Sequence, residues 1–417
     1  MRLLIHDYAG HAFQVQLSRR LAARGHRVVH LYASMVETPR GALERRPDDP
    51  PGLEILGVGI SGTFRKQSFL ARRFQEMEYG RRAAEVVARV RPDWVVSGNT
   101  PSEPQAFLLE RCQRLGIGFA AWVQDFYGIA VDKLLRNRLP LVGGAVGAYY
   151  KHVDRGVLRR SDRVILITED FRPLAEAAGA ARARTHVIEN WAPLDELPLR
   201  PRRNAWSDRH GLSGVFCFLY SGTLGMKHDP GLLLALARRY RQRADVAVVV
   251  VSQGPGARWL ADNARGEGLA NLIILPFQPF EDMPDVLASA DALVAILEPE
   301  AGVFSVPSKV LTYLCAARPL LASMPAENLA ARIVTRVDAG IVVPPHDHEA
   351  FLAVAERLRV DTKLRAAASA NARRYAEHTF DIESIADTFE ALLDARAGDR
   401  VQMPDVAHCR PAPARLA

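Results

Sequence analysis

The chain has 417 residues, 48% hydrophobic and 24% charged, which is too long for one ordinary core and fits two domains of about 200 residues each. No run of about 18 apolar residues occurs, which excludes a membrane-spanning helix. The start MRLLIHDYAG offers only Leu3, Leu4 and Ile5 before Asp7, too short an apolar run for an export signal, and Cys112, Cys217, Cys315 and Cys409 have no metal or redox spacing, so a reduced cytoplasm is expected. In chain order, β-rich runs alternate with helical stretches, the pattern of a parallel sheet covered on both faces. Strands are predicted near 2–5, 28–32, 94–97, 118–123, 163–167 and 185–188. A helix over 13–24 ends at Gly25, and another carries Tyr79, Ala83, Val86, Val87 and Val90 at helical spacing before Pro92. The pattern restarts at 215–220, 246–251, 272–275, 292–297 and 319–323, which predicts a second doubly wound sheet.

Between the two patterns, PLDELPLRPRRNAW (193–206) has three prolines and no periodicity, the mark of a linker. The expected division is 1–195, 196–397 with a last helix able to pack on the first domain, and a disordered tail over 398–417. Two facing Rossmann-like domains would form a cleft between the C-terminal ends of their strands, where open α/β sheets bind ligands.

Net charge is +7, and residues 1–200 hold 30 Lys+Arg and 22 Asp+Glu, a balance of +8, leaving 24 and 25, or −1, for the remainder. Part of that excess lies in 64–91, with eight basic and three acidic side chains. This stretch reads either as a solvated helix face or as a contact for anionic lipid. No recognised nucleic-acid motif appears, so no nucleic-acid partner is expected.

Two motifs carry chemistry. LYSGTLGMKHDPGLLLALA (219–237) is a strand, a Gly-rich turn and a helix. Gly222 and Gly225 admit an anion close to the backbone, with Lys227 as a cation beside it. It is neither a Walker loop nor a GxGxxG fingerprint. In ILEPEAGVFSVPSKVLTYLCAARPLLAS (296–323), Val306 precedes Pro307 and a helix is predicted to start there. Its free N–H groups, with Ser308 and Lys309, suit a phosphate, and Glu298 and Glu300 are placed to accept hydrogen bonds from sugar hydroxyls. The His-Asp-His run at 346–348 precedes a predicted helix, so Asp347 reads as a cap. No metal-ligand motif and no Asp-x-Asp is present.

Together these motifs resemble the donor domain of glycosyltransferase family four, the retaining enzymes of the GT-B fold. The stretch 272–297, LAARGHRVV (21–29), SDRVILITEDF (161–171) and VIENWAP (187–193) extend the similarity over roughly 1–395. WVQDFYGIA (122–130), ENWAP and VPSKVLTYL look closest to colanic-acid and O-antigen sugar transferases. The resemblance implies a metal-independent, retaining transfer from a UDP- or GDP-sugar, with no cofactor, to a saccharide acceptor, lipid-linked at the inner face of the cell membrane. It implies donor contacts at Gly222, Thr223, Gly225, Phe277, Gln278, Glu300, Ser305, Val306, Ser308 and Lys309, with Lys227 stabilising the leaving diphosphate. Gly10, His11 and Gln124 would face the acceptor, and Asp125 either orients its hydroxyl or caps a turn. The chain departs from the family at Thr312 and Phe304, where paired glutamates are usual, at Thr223 in place of an arginine, and at Gln124 in place of a histidine. Nucleotide-sugar 2-epimerases, with the same design and donor site, are the alternative reading.

Overall fold

The computed structural model describes residues 1–36, 40–65, 68–138, 142–225, 228–302 and 305–394, with only the backbone of 137, 138, 300 and 301. The tail assigned to 398–417 lies outside the described residues. The chain divides into two compact units. One is Met1–Asn190 with the helix Ile382–Asp394, and the other is Trp191–Asp381. The first unit thus ends five residues before the seam expected at 195.

The first unit holds a seven-stranded parallel sheet in the order β3-β2-β1-β4-β5-β6-β7. Its strands are β1 (Arg2–Asp7), β2 (Arg27–Ala33), β3 (Leu53–Val58), β4 (Trp94–Gly98), β5 (Gly118–Val123), β6 (Arg163–Leu166) and β7 (Thr185–Val187). Strand β3 has no counterpart in the sequence reading. It is an edge strand, and its interior is only partly buried, so it lacks the apolar run or strict alternation that marks a covered strand. The sheet reverses direction of winding between β1 and β4, which are paired from Leu3↔Trp94 to Asp7↔Gly98.

The last helix belongs to this unit. Arg24 pairs with Glu383, Asp387 and Glu390 at 2.6–2.7 Å, and His26 with Glu390 at 2.8 Å. Fully buried Phe389 packs on Trp122 with ring centroids 5.0 Å apart.

The second unit holds a six-stranded parallel sheet in the order β10-β9-β8-β11-β12-β13. Its strands are β8 (Phe216–Ser221), β9 (Val246–Val251), β10 (Leu272–Leu275), β11 (Ala292–Ile296), β12 (Leu320–Ser323) and β13 (Gly340–Val343). β9 is VAVVVV and buried at every position, the continuous β-branched run of a strand covered on both faces. β13 also escaped the sequence reading, being four residues long and entered through Asp338 at φ 51.

The reversal in this sheet falls between β8 and β11, whose ladder covers only Ala292↔Phe218 and Leu293↔Leu219. Beyond those pairs the strands part, and the freed backbone groups of β8 need other partners.

Candidate functional site

Tyr313 supplies those partners. Its hydroxyl accepts from Ser221 N at 2.9 Å and donates to Ser221 O at 3.0 Å, fastening the helix Ser308–Cys315 to the open end of β8. Lys309 lies one turn earlier on the same helix face. Its Nζ sits 3.7 Å from the centroid of the Tyr220 ring and touches the Tyr220 hydroxyl.

Burial pushes the Lys309 ammonium well below the ordinary lysine value. Such a group gains from an anion that enters beside it. Gly222, at φ 130, brings the turn to within reach: a Cβ there would stand 3.3 Å from Lys309 Cε and Nζ. That conformation is one side chains other than hydrogen rarely adopt.

The rest of the turn is held from behind. Thr223 O accepts from the Tyr220 hydroxyl at 2.7 Å, Leu224 N donates to Ser252 Oγ at 3.2 Å, and Gly225 N donates to His228 Nδ1 at 3.2 Å. Lys227 lies outside the described residues.

Ser308 is exposed at the helix start, with Pro307 before it. Buried Ser305 and half-buried Val306 lead into it, and Asn328 Nδ2 donates to Ser305 O at 2.9 Å and Gly302 O at 3.1 Å. Glu300 falls in the short helix Pro299–Gly302, but its side chain is outside the described residues. Gln278 is committed elsewhere, accepting from Trp206 Nε1 at 3.0 Å and donating to Pro276 O at 2.9 Å. Phe277 beside it is half-buried. Asp347 caps its helix, accepting from Ala350 N at 2.9 Å.

In the first unit the corresponding loops follow β1 and β4. Asp7 is fully buried at the end of β1 and accepts from Ala9 N at 3.1 Å and from His11 N. Its Oδ1 also lies 3.2 Å from His11 Nδ1. The chain turns through Gly10 at φ 78, where a Cβ would stand 2.6 Å from Leu43 Cδ1. Burial opposes charge on His11, yet the Asp7 carboxylate outweighs it, with Asp125 adding to the pull, and the imidazole is raised above 6.5. His11 and Asp125 therefore share one electrostatic environment.

A cavity of about 280 Å³ adjoins this corner, lined among others by Tyr8, Arg72, Asn99, Gln124, Asp125 and Tyr127. Gln124 exchanges two amide bonds with Asn190, at 3.2 and 2.6 Å. Tyr8, Asn99 and Tyr127 were not singled out by the sequence reading, and Arg72 entered it only as part of the basic stretch 64–91. Tyr8, directly after β1, and Asn99, at φ 50 directly after β4, follow strands, so position after a strand was the available signal for those two.

The basic stretch 64–91 takes a form that its composition conceals. Arg72 pairs with Glu76 at 2.7 Å, Arg73 with Glu103 at 2.8 Å and Arg82 with Glu78 at 2.6 Å. Phe69, Leu70 and Phe74 are instead 38%, 66% and 65% exposed. Among the described residues, no helix is long and apolar enough to cross a membrane. Cys112, Cys217 and Cys315 are buried free thiols, each pushed by burial up to about 12.

Comparison with known proteins places both units. Residues 10–191 match the Glycosyl transferase 4-like domain, and residues 216–361 match Glycosyl transferases group 1. WcaI of Escherichia coli (strain K12), a glycosyl transferase assigned to colanic acid biosynthesis, is 24% identical over 251 residues, 59% of this chain and 60% of that protein. The match therefore spans less than two thirds of that relative's length. HepE of Anabaena, solved with UDP and glucose, superposes with a TM-score of 0.70 at 16% identity, over 95% of this chain and 100% of the other. WaaG, a glycosyltransferase involved in lipopolysaccharide biosynthesis, gives a TM-score of 0.67 at 17% identity, over 95% and 100%. With these two domains covering its two sheets, the chain belongs to the family-four-like glycosyltransferases of the GT-B fold.

Proposed function

We propose that this chain transfers a sugar from a nucleotide-sugar to a saccharide acceptor in cell-surface polysaccharide biosynthesis, with retention of anomeric configuration and without a metal at the diphosphate. The observation that carries the reading is the pairing of Lys309 with the Gly222 turn, a cation 3.3 Å from where a Cβ would stand. A nucleotide-sugar already has a good leaving group, so the enzyme's task is to stabilise charge growing on the diphosphate and to position the acceptor hydroxyl. Lys309, the N–H groups at the start of the helix Ser308–Cys315 and Lys227 are the groups for the first task. Gly222, Thr223, Gly225, Ser305, Val306 and Ser308 surround the phosphates, Phe277 and the backbone at Gln278 meet the base, and Glu300 meets the sugar. Gly10, His11, Gln124 and Asp125 border the acceptor, with Asp125 orienting its hydroxyl. The names of HepE, WaaG and WcaI support a UDP-sugar and a polysaccharide pathway.

The acceptor is lipid-linked in this reading, and the enzyme works at the cytoplasmic face of a membrane. Support comes from the exposed Phe69, Leu70 and Phe74 at the start of the helix Phe69–Val90. An apolar end on a basic helix is suited to the lipid interface. The cavity beside His11 and Asp125 favours transfer over epimerisation, because an epimerase needs no second substrate. A thermal-shift panel of UDP- and GDP-sugars tests the donor, since a specific ligand stabilises by mass action. The product's anomeric configuration and turnover in excess EDTA then test the chemistry. A chain stabilised by none of the sugars, or converting one to its epimer without an acceptor, overturns the proposal.

A further inference from the structure

Outside the donor turn, three loops of the second unit bring together Asp229, Glu298 and His346, with one ligand atom of each within 4.8 Å of the others. Asp229 lies beyond β8, Glu298 follows β11 and His346 follows β13. His348 stands at the edge of this group, its Nε2 3.6 Å from Asp229 Oδ2.

His346 Nε2 and Glu298 Oε2 are 3.4 Å apart, whereas a charge-assisted hydrogen bond is about 2.7–2.9 Å. The first unit contains a histidine-carboxylate pair that does close, His26 with Glu390 at 2.8 Å. Two donors on a tetrahedral zinc, each about 2.0–2.1 Å from the metal, stand about 3.3 Å apart. The 3.4 Å separation of His346 Nε2 and Glu298 Oε2 matches that of two ligands on one ion.

The surroundings orient the donors. Gly231 N donates to Asp229 Oδ1 at 2.7 Å, leaving Oδ2 toward His348, and such outer hydrogen bonds are what aim a ligating carboxylate. Asp347 is turned to its own helix by Ala350 N, so the two histidines on either side of it are the groups that face Glu298 and Asp229. Imidazole nitrogens select zinc or a neighbouring late transition ion over magnesium or calcium, which prefer all-oxygen sites.

The geometry points to a zinc-class metal site formed by Asp229, Glu298 and His346, which ties the loops after β8, β11 and β13 to one another. One of those loops carries Gly222 and Gly225, and another leads into Lys309, so the ion braces the donor half without touching the diphosphate chemistry.

The test uses tag-free, full-length protein stripped with a chelator, dialysed, and titrated with zinc sulfate against a chromophoric competitor. The expected result is one equivalent of zinc bound at micromolar free ion or below, with a raised unfolding temperature. Glu298→Gln and His346→Ala should each weaken binding at least about tenfold and lose the thermal gain. Both residues are partly exposed, and the circular dichroism of each metal-free variant checks that it folds. Should one fail to fold, the other decides. Uptake of no zinc at micromolar free ion, or equal uptake by parent and variants, overturns the site and leaves two solvent-screened ion pairs.

Discussion

Lys309→Met removes the charge beside the Gly222 turn while keeping most of the side chain's volume. The parent ammonium contacts the Tyr220 hydroxyl and ring and stands where a phosphate entering over Gly222 would meet it. Unit charges about 4 Å apart at an effective dielectric near 20 interact by about 4 kcal/mol. Loss of one such donor in other enzymes costs about 3 kcal/mol, roughly a hundredfold in kcat. We therefore expect kcat to fall about a hundredfold at saturating donor, with the unfolding temperature unchanged or raised, since the buried charge is itself unfavourable. The proton balance provides a second readout. Burial holds Lys309 below 10.5 in the free protein, and a bound diphosphate would raise it again. Nucleoside diphosphate should thus bind with proton uptake at pH values above the lowered pKa and below 10.5, and its affinity should weaken as pH rises through that window. Calorimetry in two buffers of different ionisation enthalpy measures the uptake. Tyr313→Phe, which frees Ser221 N and O, should give a smaller loss of the same kind. A Lys309→Met enzyme within threefold of the parent in kcat, with the same proton uptake, would refute the role.

Three further outcomes follow from the first unit. The His11 imidazole is raised above 6.5 by Asp7, so the pair stabilises the fold fully below pH 6.5 and loses that contribution as pH rises through the raised value. Asp7→Asn should bring the His11 titration, read by NMR, down, and an unmoved titration would refute the coupling. Phe389→Ala empties a fully buried site against Trp122 and should cost about 3–5 kcal/mol, whereas Arg24→Met, on a solvent-facing network, should cost about 1 kcal/mol. Urea midpoints of the transition that releases the terminal helix compare them, and equal costs would contradict the packing argument. Leu70→Ser with Phe74→Ser should abolish flotation with liposomes, while Arg72→Gln should weaken it little because Glu76 already neutralises Arg72. The reverse ranking would restore a charge-driven contact.

The two sheets were legible because strand composition and spacing are local properties. β9, VAVVVV, could be little else. β3 and β13 were not legible, because an edge strand with a partly buried interior and a four-residue strand entered by a left-handed Asp338 carry too little pattern. The Gly-rich turn after β8 and the start of the helix at Ser308 were readable from glycine and proline placement, which act on the backbone directly. What could not be read was how long-range partners spend a side chain. Gln278 is taken by Trp206 and Gln124 by Asn190, and neither pairing leaves a trace in sequence. The same blindness affected 346–348: Asp347 was recognisable as a cap, but the approach of His346 to Glu298 depends on the loops after β11 and β13 meeting in space.

The charge asymmetry of the chain acquires a different meaning once these pairings are known. A +8 balance over 1–200 suggests a field for an anion, yet Arg19, Arg24, Arg72, Arg73 and Arg82 are each held by a carboxylate within 2.8 Å. A paired arginine has little left to offer a phosphate, since its charge is met at short range and screened beyond about 10 Å. The near-neutral second unit, by contrast, places Lys309 on an aromatic ring at the switch point of its sheet, with burial as the only strong influence on its pKa. A cation held there at a cost in the free protein repays that cost only when an anion arrives. In the proposed donor site, affinity for a diphosphate would then rest more on the placement of this destabilised charge than on the sum of the chain's charges.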